Sequence, residues 1–334
     1  MSRRNQPSIE CSAAGKSGLM LLAGLLCLVA QAAPAAASAP RDNSASTGPP
    51  AAERQGTNLP QVTIDAQRQH DLEHRAHVFV TGLTRTAQFS GASLAIWRTP
   101  LCFLVAGLPK AQGELLLGYL SAAADSAGAR LAGEHCQPNF LVLLTSRPDA
   151  LLEGLKARHP LMFGAASPAE ISRFVHPSTS QAVRVWRNTQ RTNRDGVPVD
   201  HSALCGGLPN TWINVDVPGN VPVNCTTRES ALSWGRLSAF LSVIVAVDTT
   251  RAGNVSVGQL ADYISLVGLA DIDPDEDVGD APTILHLFAA SGEPAPPGLT
   301  PWDRAFLLGL YHSDQTSHGQ RRQIEMAIAR RLSH

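Results

Sequence analysis

The stretch Leu237–Leu269, LSAFLSVIVAVDTTRAGNVSVGQLADYISLVGL, decides how this chain folds. Its first twelve residues are apolar and β-branched, and they end at Asp248, which reads as a buried strand. A polar turn follows, with Asn254 or Ser256 as the helix cap. Leu260, Ile264 and Val267 then recur at helical spacing. A buried strand feeding a capped apolar helix calls for a layered fold, with helices packed on a sheet.

The rest of the chain repeats these signals without strict alternation. Residues 65–86 read as a helix in which Leu72, Ala76, Phe79 and Leu83 form one apolar stripe. Ser93–Leu108 reads as a strand or two strands bent at Pro100. A helix is expected over 111–127, ended by Gly128, then a buried strand at 139–146 and a helix opening at Pro148 and stopping before Pro160. Ala182–Thr189, the polar turn 193–196 and Val197–Asp200 suggest a hairpin, and 211–217 another strand. Thr300 caps a helix with Pro301 at its first position, and 318–332 is the last helix. The expected class is α+β: a mixed sheet with packed helices, stapled by disulfides.

At the other end of the chain, Arg3, Arg4 and Lys16 precede an apolar run over 18–30, followed by QAAPAAASA. This is the order of a secretory signal peptide, with cleavage expected after Ala39 or, second, after Ala32. Leu26 stands where a lipobox needs a small residue before Cys27. Release is therefore expected rather than a lipid anchor. Residues 40–60 are rich in Pro, Ser, Ala and Gly and read as a flexible leader. Residues 61–334 then form one domain, with sub-lobes at 61–176 and 177–334 as an option. The expected location is the periplasm or the exterior.

The formal charge of −1 becomes −3 once Arg3, Arg4, Lys16 and Glu10 leave with the signal peptide. No basic stripe marks a nucleic-acid footprint. Cleavage also removes Cys11 and Cys27, leaving Cys102, Cys136, Cys205 and Cys225. An even number in an exported chain favours disulfides, and the absence of any C-x-x-C spacing argues against a thiolate metal site. Local spacing favours Cys102–Cys136 and Cys205–Cys225.

Three further groups invite a chemical reading. His70, Glu73 and His74 fit H-x-x-E-H, the pattern of inverted zinc peptidases. On a helix, however, His70, His74 and His77 lie opposite the apolar stripe, so they read as a solvated face. Asp271, Asp273, Asp275 and Asp277 alternate as calcium ligands do, but Glu276 and Pro282 stand where an EF-hand needs glycine and glutamate. They offer a non-EF calcium site or, more simply, an acidic loop. No nucleophile elbow or phosphate-binding glycine loop occurs.

The order strand, helix ending in Gly268-Leu269, turn, then Ala281–His286 resembles the zincin metallopeptidases. The resemblance places their ligand histidines at Ala261 and Ser265, and their catalytic glutamate at Asp262. Neither Ala nor Ser can ligate zinc as imidazole does, so it implies a decayed site. Over a longer span, CQPNFLV (136–142), DAPTILHLF (280–288) and GLTPWDRAFLLGLY (298–311) resemble an uncharacterised family of exported Gram-negative proteins, and that resemblance implies no established activity. The leading expectation is a non-catalytic binding or accessory protein without a cofactor. The alternatives are a metallohydrolase drawing on His135, His201, His286 or His312, and a calcium-stabilised structural module.

Overall fold

The strand Leu237–Asp248 lies inside a four-stranded sheet of the computed structural model, flanked on both sides. The structure describes residues 59–84, 93–192, 211–214, 222–225, 237–289, 295–315 and 319–333. They belong to one unit, residues 57–334.

In chain order the strands are β1 Phe103–Ala106, β2 Phe140–Thr145, β3 Val183–Thr192, β4 Thr211–Asn214, β5 Pro222–Cys225 and β6 Leu237–Asp248. The helices are α1 Leu59–Leu83, α2 Lys110–Ala127, α3 Pro148–Arg158, α4 Pro168–Val175, α5 Val257–Leu269, α6 Pro301–His312 and α7 Gln320–Leu332, with 3-10 turns at Pro160–Phe163 and Ile284–Phe288. The main sheet runs β1-β2-β6-β3, parallel except for β3, which joins β6 antiparallel. β4 and β5 form a separate antiparallel pair. The fold is therefore mixed α and β, with packed helices and a mixed sheet, as the sequence pattern indicated.

β6 is apolar on both faces because both are covered, the usual condition of a parallel strand. Val243, Val245 and Val247 face the main core with Phe140, Val142 and α5. Ala246 faces the opposite way, onto Leu152 of α3 and Val175 of α4. Strands from both halves of the chain share this one sheet.

Several boundaries follow the local signals closely. Ser256 caps α5 through a reciprocal box with Gln259, and Thr300 caps α6 through one with Asp303, with Pro301 at the first position. The left-handed Gly128 ends α2. In α1, Ala76, Phe79 and Leu83 are fully buried and Leu72 packs beside them.

Other expectations need correcting. Of the strand or bent pair of strands expected over Ser93–Leu108, one short strand forms. Ile96 and Leu101 make isolated bridges, to Ala239 and Leu131, and only Phe103–Ala106 forms a strand. Trp97 instead turns into the core, where Phe140 and Phe240 pack against it. β3 finds its ladder partner in β6, and the hairpin return expected at 197–200 lies outside the described residues. The pairing is reasonable because Val183 and Val185 extend the apolar face of β6 by one strand.

Cys102 and Cys136 form a disulfide, as their spacing suggested. It ties the entry of β1 to the loop before β2, where Asn139 also bonds the Cys102 amide through Oδ1 at 2.8 Å. Cys205 lies outside the described residues, and with it the second expected bridge.

Candidate functional site

The apolar face of the sheet runs out at β3, its outermost strand on this side among the described residues. There Val183, Val185 and Arg187 pair in register with Val247, Val245 and Val243. The same three side chains form the floor of an open cleft of about 880 Å³. Tyr263 of α5 and Phe288 make one wall, in edge-to-face contact at 4.9 Å. Asp271–Asp275 make the rim, Thr179–Ala182 the mouth, and Arg251 stands just beyond the end of β6. The cleft thus opens beside the carboxyl end of a parallel strand, where ligand crevices form in open α/β sheets.

Arg187 owes its position to the end of α5. The last carbonyls of a helix have no partners within it, and α5 is buried on nearly every side, from Leu260 to Leu269. Arg187 donates to the Val267 carbonyl from Nε at 3.0 Å and from a terminal nitrogen at 2.7 Å. Trp97 Nε1 donates to the Gly268 carbonyl at 3.0 Å, and the Tyr311 hydroxyl to the Leu269 carbonyl at 2.9 Å. Three side chains from three distant segments therefore cap one helix.

The acidic rim is held rigidly. Asp273 Oδ1 accepts from the Asp275 amide at 3.1 Å, and Asp277 Oδ1 from the Gly279 amide at 2.9 Å. These are Asx turns. Asp275 Oδ2 accepts from Gln181 Nε2 at 3.0 Å, which joins rim to mouth. Behind the rim, the Asp273 amide bonds the Leu83 carbonyl of α1. The loop lies against α1 at Gly82, where a Cβ would sit 2.3 Å from the Asp277 carbonyl oxygen.

Charge and burial oppose one another here. Desolvation lowers the Arg187 pKa, while the nearby charges of Asp271 and Asp273 act to raise it. The Tyr263 hydroxyl is pushed well above its ordinary range, first by burial and then by Asp275, with Arg187 opposing. Arg251 is drawn away to Asp248, 3.5 Å from it.

The residues picked out by sequence sit elsewhere or serve other ends. Asp271, Asp273 and Asp275 line the cleft, but Asp277 does not, and the structure does not bring the four to one point. Among the described residues, no set of three or more His, Cys, Asp or Glu is placed to hold a metal ion. Hence His135, His286 and His312 do not converge, and His201 lies outside the described residues.

Ala261 is fully buried in the core. Asp262 Oδ2 accepts from the Leu299 amide at 2.8 Å, and the Ser265 hydroxyl is buried without a partner among the described residues. Gly268, the anchor of the peptidase resemblance, has a packing reason of its own: a Cβ there would lie 2.2 Å from Phe140 Cζ. His70 and His74 are exposed as expected. His77 is exposed too, yet its Nδ1 lies 2.9 Å from Oε1 of the buried Glu325 on α7. It is therefore a packing contact as well as a solvated residue.

Sequence reasoning did not single out Arg187, Tyr263, Phe288 or Thr179–Gln181. They lie on four segments that only the folded chain brings together. A lone arginine within an otherwise apolar alternation, Val183-x-Val185-x-Arg187, was the available signal. Comparison with protein families, with characterised proteins and with solved structures gives no match to this chain.

Proposed function

We propose that this chain is an exported, non-catalytic binding or accessory protein whose ligand sits in the cleft between β3, α5 and the 271–275 loop. One observation carries the reading: an open polar cleft of about 880 Å³ at the carboxyl end of a parallel strand. Three of the charged groups in it have structural duties. Asp273 and Asp275 hold the rim and mouth, and Arg187 caps α5. The Cys102–Cys136 bridge supports export, since structural disulfides persist in oxidising compartments. The resemblance of residues 136–142, 280–288 and 298–311 to exported Gram-negative proteins points the same way.

The test is a thermal-shift screen of the purified protein against a panel of small polar molecules: amines, carboxylates, neutral sugars and short peptides. Ser180→Trp serves as the blocking variant, because Ser180 is exposed at the mouth of the cleft. A ligand present at 100 times its Kd stabilises by about 2.7 kcal/mol, or roughly 5–10 °C for a domain this size. At least one class should stabilise the native protein and not S180W. Equal shifts in both proteins, or no shift with any class, would overturn the assignment of the cleft.

A further inference from the structure

We infer that the outer face of α2 is a self-association surface, on which a second copy of this chain packs its own α2 in the antiparallel sense. No residue of α2 lines the cleft, so the two surfaces are separate.

The sequence of α2, KAQGELLLGYLSAAADSA, carries only Lys110, Glu114 and Asp125 as charges. Its inner face, Leu116, Leu120, Ala123, Ala124 and Ala127, is buried in the core. A helix at the surface of a fold is expected to be polar on its other side. Here that side presents Ala111, Leu115, Gly118, Tyr119 and Ala122, all of them exposed. Leu115 is 50 % exposed and Tyr119 44 %. Ala111, Leu115, Gly118 and Ala122 recur at offsets of four, three and four, the seam spacing of two packed helices. A helix that is apolar on both sides is built to be covered on both sides.

Gly118 is an independent observation. Glycine inside a helix is destabilising relative to alanine, so its presence needs a packing reason. Gly82 and Gly268 have one, since a Cβ would collide with the Asp277 carbonyl or the Phe140 ring. At Gly118 a Cβ would meet nothing within 4 Å. A backbone approaching from outside supplies the reason that the chain itself does not, because helices cross most closely where their contact residues are smallest. Gly113 is as open, but it stands near the helix start and off this seam.

The charges fix the partner and its direction. Lys110 and Asp125 stand eight residues before and seven residues after Gly118. Two copies of α2 crossing antiparallel at Gly118 therefore set Lys110 of each against Asp125 of the other. A parallel pair would set like charge against like. Within its own chain Lys110 reaches only Glu114, at 3.7 Å with both side chains largely exposed, a weak pairing with which a second carboxylate competes. The antiparallel arrangement has two-fold symmetry, so it closes as a dimer.

One helix from each copy makes a small interface, so the dimer should dissociate within a measurable range. The experiment is sedimentation velocity on the full purified protein, from about 1 to 200 μM chain and at about 0.05 M salt, where exposed pairs are little screened. The native protein should show a reversible monomer–dimer equilibrium. Gly118→Gln places a better helix former in open space, so melting of the dilute protein should be no lower, while dimerisation weakens at least tenfold. Lys110→Asp and Asp125→Lys each suit their own helix end, yet each should weaken the dimer by about tenfold, because two pairs per dimer turn repulsive. The double variant K110D/D125K should recover most of that loss.

A native protein that stays monomeric throughout, or a G118Q protein that dimerises as the native one does, would overturn the surface as a self-contact and leave the face to another partner. A double variant no better than the singles would overturn the antiparallel pairing.

Discussion

Replacing Gly268 by Ala sets two known effects against each other. In a helix interior alanine is favoured over glycine by about 0.8–1.0 kcal/mol. Taken alone, that would make Gly268→Ala stabilising. The new Cβ, however, would lie 2.2 Å from Phe140 Cζ and 2.6 Å from its Cε2. Carbon contacts settle at about 3.5–4.0 Å, so the ring or the helix must move by more than ~1 Å. Neither has room. Phe140 is fully buried, with Trp97 stacked at 5.9 Å and Phe103 at 5.0 Å. Trp97 is itself tied to the Gly268 carbonyl. Overpacking of this kind costs about 1–3 kcal/mol, occasionally more, so set against the propensity gain a net loss of up to roughly 2 kcal/mol is expected.

The assay is urea unfolding of the native protein, G268A, Phe140→Leu and the double variant. The Leu variant alone should lose stability through the void it leaves. In the double variant the new methyl occupies part of that void. The pair should therefore be less destabilised than the sum of the singles, by at least ~1 kcal/mol. A G268A protein more stable than the native one, or strictly additive losses, would refute the packing argument. It would also reopen the question of why glycine stands at that position.

Three more outcomes follow from the same structure. Replacing Cys102 and Cys136 by Ser releases a loop spanned by 34 positions and should cost about 3–4 kcal/mol; unchanged melting would show that the bridge is not stabilising. Ser265→Ala removes a buried hydroxyl that has no partner among the described residues, and should stabilise by about 1 kcal/mol in chemical denaturation, whereas a loss would reveal a partner.

Asp303 is fully buried, and burial raises its pKa despite hydrogen bonds from Thr283, Thr300 and Ile284. A carboxyl whose folded pKa lies above 3.8 favours the folded state at low pH, and loses that contribution as pH rises through the raised value. Melting of Asp303→Asn relative to the native protein should therefore improve as pH climbs from about 4. A constant difference would mean that Asp303 titrates normally.

What could be read from the sequence depended on how local its cause was. The bounds of β6, the cap at Ser256 and the Thr300-Pro301 start of α6 each follow from residues within one turn of one another. α4 had such a signal in Ser167 and Glu170, a capping box behind Pro168, but eight residues are too short to announce themselves. The sheet order was not legible. Nothing near residue 183 says that β3 will pair with a strand more than fifty residues later.

The cleft hid for the same reason. Its acidic rim looked like a metal loop because alternate aspartates are what calcium ligands look like in one dimension. In three dimensions two of those aspartates turn back to their own backbone. The cap on α5 joins Trp97, Arg187 and Tyr311, from three segments that only the folded chain brings to one helix end.

The most direct test of the central claim is two-dimensional NMR mapping of the purified protein with the best ligand class from the polar panel. The account predicts shift changes centred on Thr179–Val183, Arg187, Tyr263 and Asp271–Asp275, absent in S180W. Saturable binding whose shifts lie on another face of the fold would contradict it.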